Sequence, residues 1–133
     1  VVLSAVRFSL HRASTYTSSL SLHDALPISN NTLSEEVRAR NFFDRMGVLI
    51  EDAQAWLVLP GGLGTLAEVA MTWDLLAIRV LEPRPLLLYG KMWAPIIETL
   101  SEHLILSADS AFESIQICHS HAEVLQSLQA YHH

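Results

Sequence analysis

Three glycines follow Pro60 at the point where an apolar run ends and a helical pattern begins. Gly61, Gly62 and Gly64 allow a positive φ and bring backbone N–H groups close to whatever lies in the loop. A glycine loop between the carboxyl end of a strand and the amino end of a helix favours anions, because unpaired N–H groups and the positive end of the helix dipole point to the same place. The spacing therefore predicts a phosphate site.

Thr65 and Glu68 stand at the start of the helix that follows this loop, and two interpretations of them stay open. Their spacing is that of a capping box, in which each side chain satisfies a backbone N–H group of the other residue. They can also serve a ligand in the loop. We expect the helix dipole to keep a glutamate in the first turn ionised, which suits it to stabilise a cation or to orient a hydroxyl group.

Strands and helices alternate around the loop. Short apolar runs predict buried strands over residues 55–59, 85–89 and 115–118. Helical spacing predicts helices from Ser34 onward, from Thr65 to between 78 and 81, over 93–104, and over 122–130 after a second capping box of Ser120 and Glu123. This alternation predicts an α/β fold with parallel βαβ units.

The buried faces of the first two predicted helices follow from the same spacing. In the first, the expected inward residues are Val37, Phe42 or Phe43, Met46, Leu49 and Ile50. In the second, they are Leu66, Val69, Ala70, Trp73, Leu76 and Ala77. We expect Trp73 and Trp93 to lie in the core or at an interface.

Two arginines, Arg38 and Arg45, are seven residues apart, so two helical turns place them on roughly one face. Arginines on an acidic helix are usually solvated or paired with neighbours such as Asp44, and spacing alone favours that interpretation.

The segment from Pro60 to Glu68 resembles the PGGxGTxxE signature of the Lonely Guy (LOG) family, lysine-decarboxylase-like proteins that act as nucleoside 5′-monophosphate phosphoribohydrolases. In that family an arginine, usually followed by lysine, lies on the preceding helix fifteen positions before the proline of the motif. Arg45 occupies that position here, and Met46 stands where lysine is usual, which removes one cation.

The resemblance implies a Rossmann-like parallel sheet flanked by helices, and hydrolysis of the N-glycosidic bond of a cytokinin riboside monophosphate or AMP. Glu68 and Arg45 would be catalytic. The substrate phosphate would be held by Gly61, Gly62, Gly64 and Thr65. The reaction calls for no metal or redox cofactor. Members of the family are usually homodimers, and the apolar face from Trp73 to Ile78 would form the dimer interface. The alternatives are a nucleotide-binding module without hydrolysis and an inactive fragment of the enzyme.

Composition limits the classes of function. The chain has 133 residues, half of them hydrophobic, and a net charge of -6, which argues against a general nucleic-acid or anionic-membrane surface. Its one cysteine, Cys118, forms no internal disulfide, which agrees with a reducing, cytoplasmic compartment. Cys118, His119 and His121 resemble a ligand cluster, but their spacing matches no common zinc pattern.

Residues 1–29 differ in character from the rest. The segment from Ser21 to Ile28 resembles an in-frame translation of a sequencing adapter. We therefore predict a non-native or disordered leader over 1–29 and a partial Rossmann-like LOG domain over 30–133, N-terminally truncated, in which the family's first glycine-rich loop is missing. No function is assigned to the adjacent His23 and Asp24.

Overall fold

The computed structural model describes residues 2–9, 12–19, 40–51, 53–105 and 109–131. Within them lie five strands, β1 (Val2–Ser9), β2 (Arg12–Ser19), β3 (Ala55–Val58), β4 (Leu86–Tyr89) and β5 (Ile115–Cys118), and four α-helices, α1 (Phe42–Glu51), α2 (Leu63–Ala77), α3 (Trp93–His103) and α4 (His121–Tyr131). A short 3₁₀ helix, Asp109–Phe112, precedes β5.

The strands form one sheet in the order β2-β1-β3-β4-β5. Strands β3, β4 and β5 are parallel, with Val58 opposite Leu88 and Tyr89 opposite Cys118. Helix α2 connects β3 to β4, and α3 connects β4 to β5. The predicted α/β fold with a Rossmann-like parallel sheet is therefore confirmed.

A β-hairpin extends the sheet beyond β3. Strands β1 and β2 pair antiparallel, and β1 also pairs antiparallel with β3, with Leu3 opposite Val58. The apolar runs of the sequence did not indicate these strands, although Thr15, Tyr16 and Thr17 are residue types that favour extended backbone. The adapter-like segment at 21–28 lies outside the described residues, and the division of the chain at residue 29 stays a prediction.

The sheet carries helices on both faces. On one face, Trp56, Val58, Leu86 and Leu88 pack against α1, α2 and α3 in the larger apolar cluster. On the other, Ala55, Leu87 and Cys118 pack against Val124 and Leu128 of α4. Neighbouring residues of each strand thus belong to opposite faces, as the period of two requires. Trp56, Trp73 and Trp93 are all buried, which confirms the core assignment of Trp73 and Trp93.

One expectation about the buried face of α1 is wrong, and Val37, which belonged to the same prediction, lies outside the described residues. Phe42 and Phe43 are both exposed, Phe43 at 74%, whereas Met46, Leu49 and Ile50 are buried as predicted. Phe42 and Phe43 lie in the first turn, beyond the edge of the packed face. The backbone N–H of Asp44 donates to Oδ1 of Asn41 at 2.9 Å, so Asn41 caps this helical turn. Ser34, predicted to cap the helix, lies outside the described residues.

The inward face of α2 also differs from the prediction. The helix begins at Leu63, two residues before Thr65, and Ala70 is exposed. The buried set is Thr65, Glu68, Val69, Thr72, Trp73 and Leu76, so polar and apolar residues share the face that meets the core. Among the described residues no helix has both the length and the apolar character needed to cross a membrane.

Candidate functional site

The glycine loop connects the carboxyl end of β3 to the amino end of α2, as predicted. Gly62 is the N-cap residue of α2, and no side chain makes a capping hydrogen bond there. Residues 61–64 are exposed, and the first backbone N–H to bond along the helix is that of Leu66, which donates to the Gly62 carbonyl. The N–H groups before it have no partner within the helix, so the loop presents donors where an anion would bind.

Glycine is required at position 61 because the Thr65 side chain lies close to it, and not because of a positive φ. A Cβ atom on Gly61 would collide with Oγ1 of Thr65, whereas Gly62 has open space around it. Gly62 has a φ of -102°, and Gly64 lies within α2. These three glycines therefore do not use the positive φ that their residue type allows. Thr65 packs directly beneath the loop and is fully buried.

A second glycine completes the loop's surroundings. Gly90 follows β4 with a φ of +109°, and a Cβ atom on it would lie 2.9 Å from Cγ of Pro60. Gly90 is thus required both by its left-handed backbone and by its contact with Pro60. The ends of the neighbouring strands β3 and β4 meet through this contact.

Arg45 and Glu68 form a buried ion pair beside the loop. Nη2 of Arg45 lies 3.0 Å from Oε1 of Glu68, and the exposed fractions of the two side chains are 8% and 2%. Arg45 comes from α1 and Glu68 from the second turn of α2, and both helices also contact β1. The fold thus brings together the two residues that the resemblance named as catalytic.

Glu68 does not cap α2. It is the sixth residue of the helix and pairs with Arg45, and no side chain caps the N-cap residue Gly62, so the capping-box interpretation of Thr65 and Glu68 is wrong. Burial raises the pKa of Glu68 above its ordinary value, and the positive charge of Arg45 opposes part of that rise. We expected the helix dipole to hold this carboxyl group ionised. Desolvation is the largest influence on its pKa, and Glu68 lies beyond the first turn, where the dipole acts most strongly.

Several buried oxygens on α2 lack hydrogen-bond partners. In the described part of the chain these are Oγ1 of Thr65, Oε2 of Glu68 and Oγ1 of Thr72. The sequence pattern did not indicate Thr72, because apolar spacing predicts only the hydrophobic residues of a buried face. The spacing of 65, 68 and 72 follows one helical stripe and was a signal that could have found it.

The sequence also drew attention to Met46, Arg38 and Cys118. Met46, which follows Arg45, is buried in the larger apolar cluster. Arg38 lies outside the described residues. Cys118 is buried under α4, and burial raises the pKa of its thiol. Among the residues that the structure describes, no three His, Cys, Asp or Glu side chains are grouped to hold a metal ion.

These features define a Rossmann-like α/β protein with a glycine-rich loop at the carboxyl edge of its parallel strands and a buried arginine–glutamate pair beside it. A family model described as "possible lysine decarboxylase" matches residues 9–128. The chain therefore belongs to this lysine-decarboxylase-like family, which confirms the resemblance to LOG proteins. A search of curated proteins finds no match.

Proposed function

We propose that this protein belongs to the phosphoribohydrolases of its family and hydrolyses the N-glycosidic bond of a nucleoside 5′-monophosphate, releasing a free base and ribose 5-phosphate. The observation that carries the proposal is the ion pair of Arg45 and Glu68 beside a loop that exposes backbone N–H groups. The substrate is AMP or a cytokinin riboside monophosphate, as the family resemblance implies.

The reaction places three demands on the site. The sugar acquires oxocarbenium character in the transition state, so the site needs a negative charge near the ribose. It also needs an anchor for the phosphate, whose binding energy orients the reacting bond, and a positioned water. In our proposal Glu68 supplies the charge and accepts hydrogen bonds from ribose hydroxyl groups. The N–H groups of the loop from Gly61 to Thr65 bind the phosphate.

In our proposal Arg45 links Glu68 to the phosphate-binding loop. It neutralises Glu68 while both are buried, which limits the cost of desolvating the carboxylate. A bound phosphate would offer Arg45 a second anion and a bidentate hydrogen-bonding partner. We propose that the substrate draws Arg45 from Glu68 to the phosphate, and that this exchange frees the carboxylate for the ribose.

The family description names lysine decarboxylation, which in its pyridoxal-phosphate form requires a lysine that forms a Schiff base. Lys91 is the lysine of this chain, and it lies exposed in the turn between β4 and α3. Among the residues that the structure describes, the buried charged side chains are instead Arg45 and Glu68. Our proposal therefore rests on the ion pair rather than on Lys91.

Release of adenine from AMP tests the proposal. We expect the wild-type chain to release adenine, and Glu68→Gln to lower kcat on the order of 100-fold or more, because one charge that stabilises the transition state is lost. Glu98→Gln, at an exposed position of α3, is the matched control and should leave the rate unchanged. Equal rates for wild type and Glu68→Gln would contradict the role of Glu68.

A nucleotide-binding module without hydrolysis is the second candidate. The burial of Glu68 favours it, because the carboxylate must first be uncovered before it contacts a substrate. A version in which an amino-terminal half from the family replaces residues 1–29 separates the two. If only that version releases adenine, the given chain is an inactive fragment of a hydrolase. If neither releases adenine and both bind AMP, the binding module is correct.

A further inference from the structure

Helix α2 directs three polar side chains into the protein. Thr65, Glu68 and Thr72 follow one stripe of the helix and are all buried. Each has an oxygen without a hydrogen-bond partner in the described part of the chain. Folded proteins rarely leave buried polar atoms unsatisfied, because the cost of removing them from water is then not recovered. This stripe therefore requires an explanation beyond packing.

Thr72 is the member of the stripe that has no part in the reaction described above. It lies one helical turn after Glu68, where side chains four residues apart share a face and their Cβ atoms are about 5–6 Å apart. Cα–Cβ bonds in a helix tilt toward its amino end, so the Thr72 hydroxyl group is carried toward Glu68. Thr72 is also fully buried, so bulk water does not serve its hydroxyl group.

Glu68 has an oxygen that Arg45 does not occupy. Arg45 contacts Oε1, and Oε2 is buried without a partner among the described residues. A threonine hydroxyl group is a hydrogen-bond donor, and each carboxylate oxygen accepts. No direct hydrogen bond joins Oγ1 of Thr72 to Oε2 of Glu68. We propose that Thr72 is a positioning residue for Glu68: its hydroxyl group donates to one water that in turn donates to Oε2, and this bridge fixes the orientation of the carboxylate toward the ribose.

The inference rests on the proposed hydrolysis for its effect on rate, whereas the hydrogen bond itself is measurable without activity. The competing explanation is structural. A threonine within a helix often donates to the carbonyl group four residues earlier, which is here that of Glu68. In that case Thr72 serves packing, and valine, which has the same shape and no hydroxyl group, fits the site at least as well as serine.

The two explanations rank the variants Thr72→Val and Thr72→Ser in opposite order. The first readout is the pKa of the Glu68 carboxyl group, measured by carbon NMR of labelled glutamate and assigned with Glu68→Gln. A hydrogen bond to the ionised form lowers this pKa, so Thr72→Val should raise it by about one pH unit and Thr72→Ser should restore it. Arg45 is the charged side chain that faces Glu68 among the described residues, and it is unchanged in all variants.

The second readout is the kinetics of AMP hydrolysis. Thr72→Val should lower kcat on the order of 10-fold with little change in KM, since a misplaced group affects the transition state more than binding, and Thr72→Ser should recover the rate. Thr99→Val is the matched control. The Thr99 hydroxyl group donates to the Pro95 carbonyl at 2.8 Å on the exposed side of α3, so both readouts should stay at wild-type values.

An unchanged Glu68 pKa in Thr72→Val would overturn the inference, whatever the activity. Thr72→Ala lacks the hydroxyl group in a smaller side chain and should repeat the effect of Thr72→Val on the pKa, which separates the hydroxyl group from side-chain shape. If the pKa follows the hydroxyl group while no variant and no wild-type chain releases adenine, the hydrogen bond stands and the proposed hydrolysis fails.

Discussion

Nη2 of Arg45 lies 3.0 Å from Oε1 of Glu68, and this contact joins two helices inside the protein. A buried ion pair costs several kcal/mol of desolvation per ion, which the attraction repays only when both partners are present. It is therefore weak evidence for stability and stronger evidence for a site, because perturbed and buried charges concentrate where chemistry occurs. In this chain the pair lies beside the glycine loop that opens α2.

The buried pair makes a prediction about stability. Glu68→Gln should lower the free energy of unfolding by about 3–5 kcal/mol, because it removes the negative charge that Arg45 contacts inside the protein. The double variant Arg45→Met/Glu68→Leu should be about as stable as wild type or more stable, since it removes both charges. Urea unfolding of the wild type, Arg45→Met, Glu68→Leu and the double variant measures this coupling.

An exposed pair provides the control for that experiment. Arg40 and Asp44 lie 3.1 Å apart on α1, with 91% and 37% of their side chains exposed. Arg40→Gln should change the free energy of unfolding by less than about 1 kcal/mol, because water screens this contact. If Glu68→Gln cost no more than Arg40→Gln, the Arg45–Glu68 pair would be hydrated in solution and the site open.

The glycine loop makes a second prediction, in which two neighbouring glycines differ. Gly61→Ala should destabilise the chain by about 1–3 kcal/mol, because its methyl group collides with Thr65 and forces the loop to move. Gly62→Ala meets open space and a permitted φ, so it should cost at most about 1 kcal/mol, the difference between glycine and alanine as an N-cap residue. Thermal unfolding of both variants measures the difference. Equal losses would mean that Thr65 does not pack against Gly61.

The carboxyl end of α2 makes a third prediction. Arg79 has a φ of +60°. The N–H of Arg79 donates to the Leu76 carbonyl, and the N–H of Val80 donates to the Leu75 carbonyl. These two hydrogen bonds form a Schellman motif. Glycine adopts this backbone without strain. Arg79→Gly should therefore be about 1 kcal/mol more stable than Arg79→Ala.

Both substitutions of Arg79 remove the same exposed contact, in which Nη2 of Arg79 lies 3.3 Å from Oε2 of Glu113. The difference in stability between Arg79→Gly and Arg79→Ala consequently reports only the cost of the left-handed backbone at residue 79. Chemical denaturation of the two variants side by side gives this difference directly. Greater stability of Arg79→Ala would mean that residue 79 does not adopt the left-handed conformation in solution.

The start of α4 makes a fourth prediction. Ser120 Oγ accepts from the Glu123 N–H at 3.3 Å and donates to Glu123 Oε1 at 2.9 Å, which confirms the Ser120 half of the predicted capping box. The Glu123 side chain accepts from the N–H of His119 rather than from that of Ser120. Ser120→Ala should cost about 1 kcal/mol. Ser101→Ala, at an exposed position inside α3, is the control and should cost nothing.

The same cap should respond to pH. The N–H of His119 and the Ser120 hydroxyl group lower the pKa of Glu123 below its ordinary value of 4.5. The unfolded chain therefore binds this proton more tightly, so the stability that the contact contributes is present above pH 4.5 and is lost as the pH falls through the lowered pKa. The difference in unfolding free energy between wild type and Glu123→Gln should shrink between pH 7 and pH 3. A constant difference would rule out this titration.

The sequence alone determined the local structure. Short-range spacing predicts the strand, loop and helix around Pro60, the βαβ order, and the cap of Ser120 and Glu123. This is because hydrogen bonding within a helix and alternation in a strand involve near neighbours. The pairing partner of Glu68 was indicated by resemblance, because Arg45 lies at the family's position before the motif. Spacing alone favoured a solvated arginine.

Only the tertiary structure decided what surrounds these residues. Burial of Glu68 raises its pKa against the expected effect of the helix dipole, and that burial depends on α1, which comes much earlier in the chain. Packing also decided three other features: the contact of Gly61 with Thr65, the inward position of Thr72 and the hairpin beside β3. Desolvation and close packing arise between segments distant in sequence, so no periodic pattern along the chain encodes them.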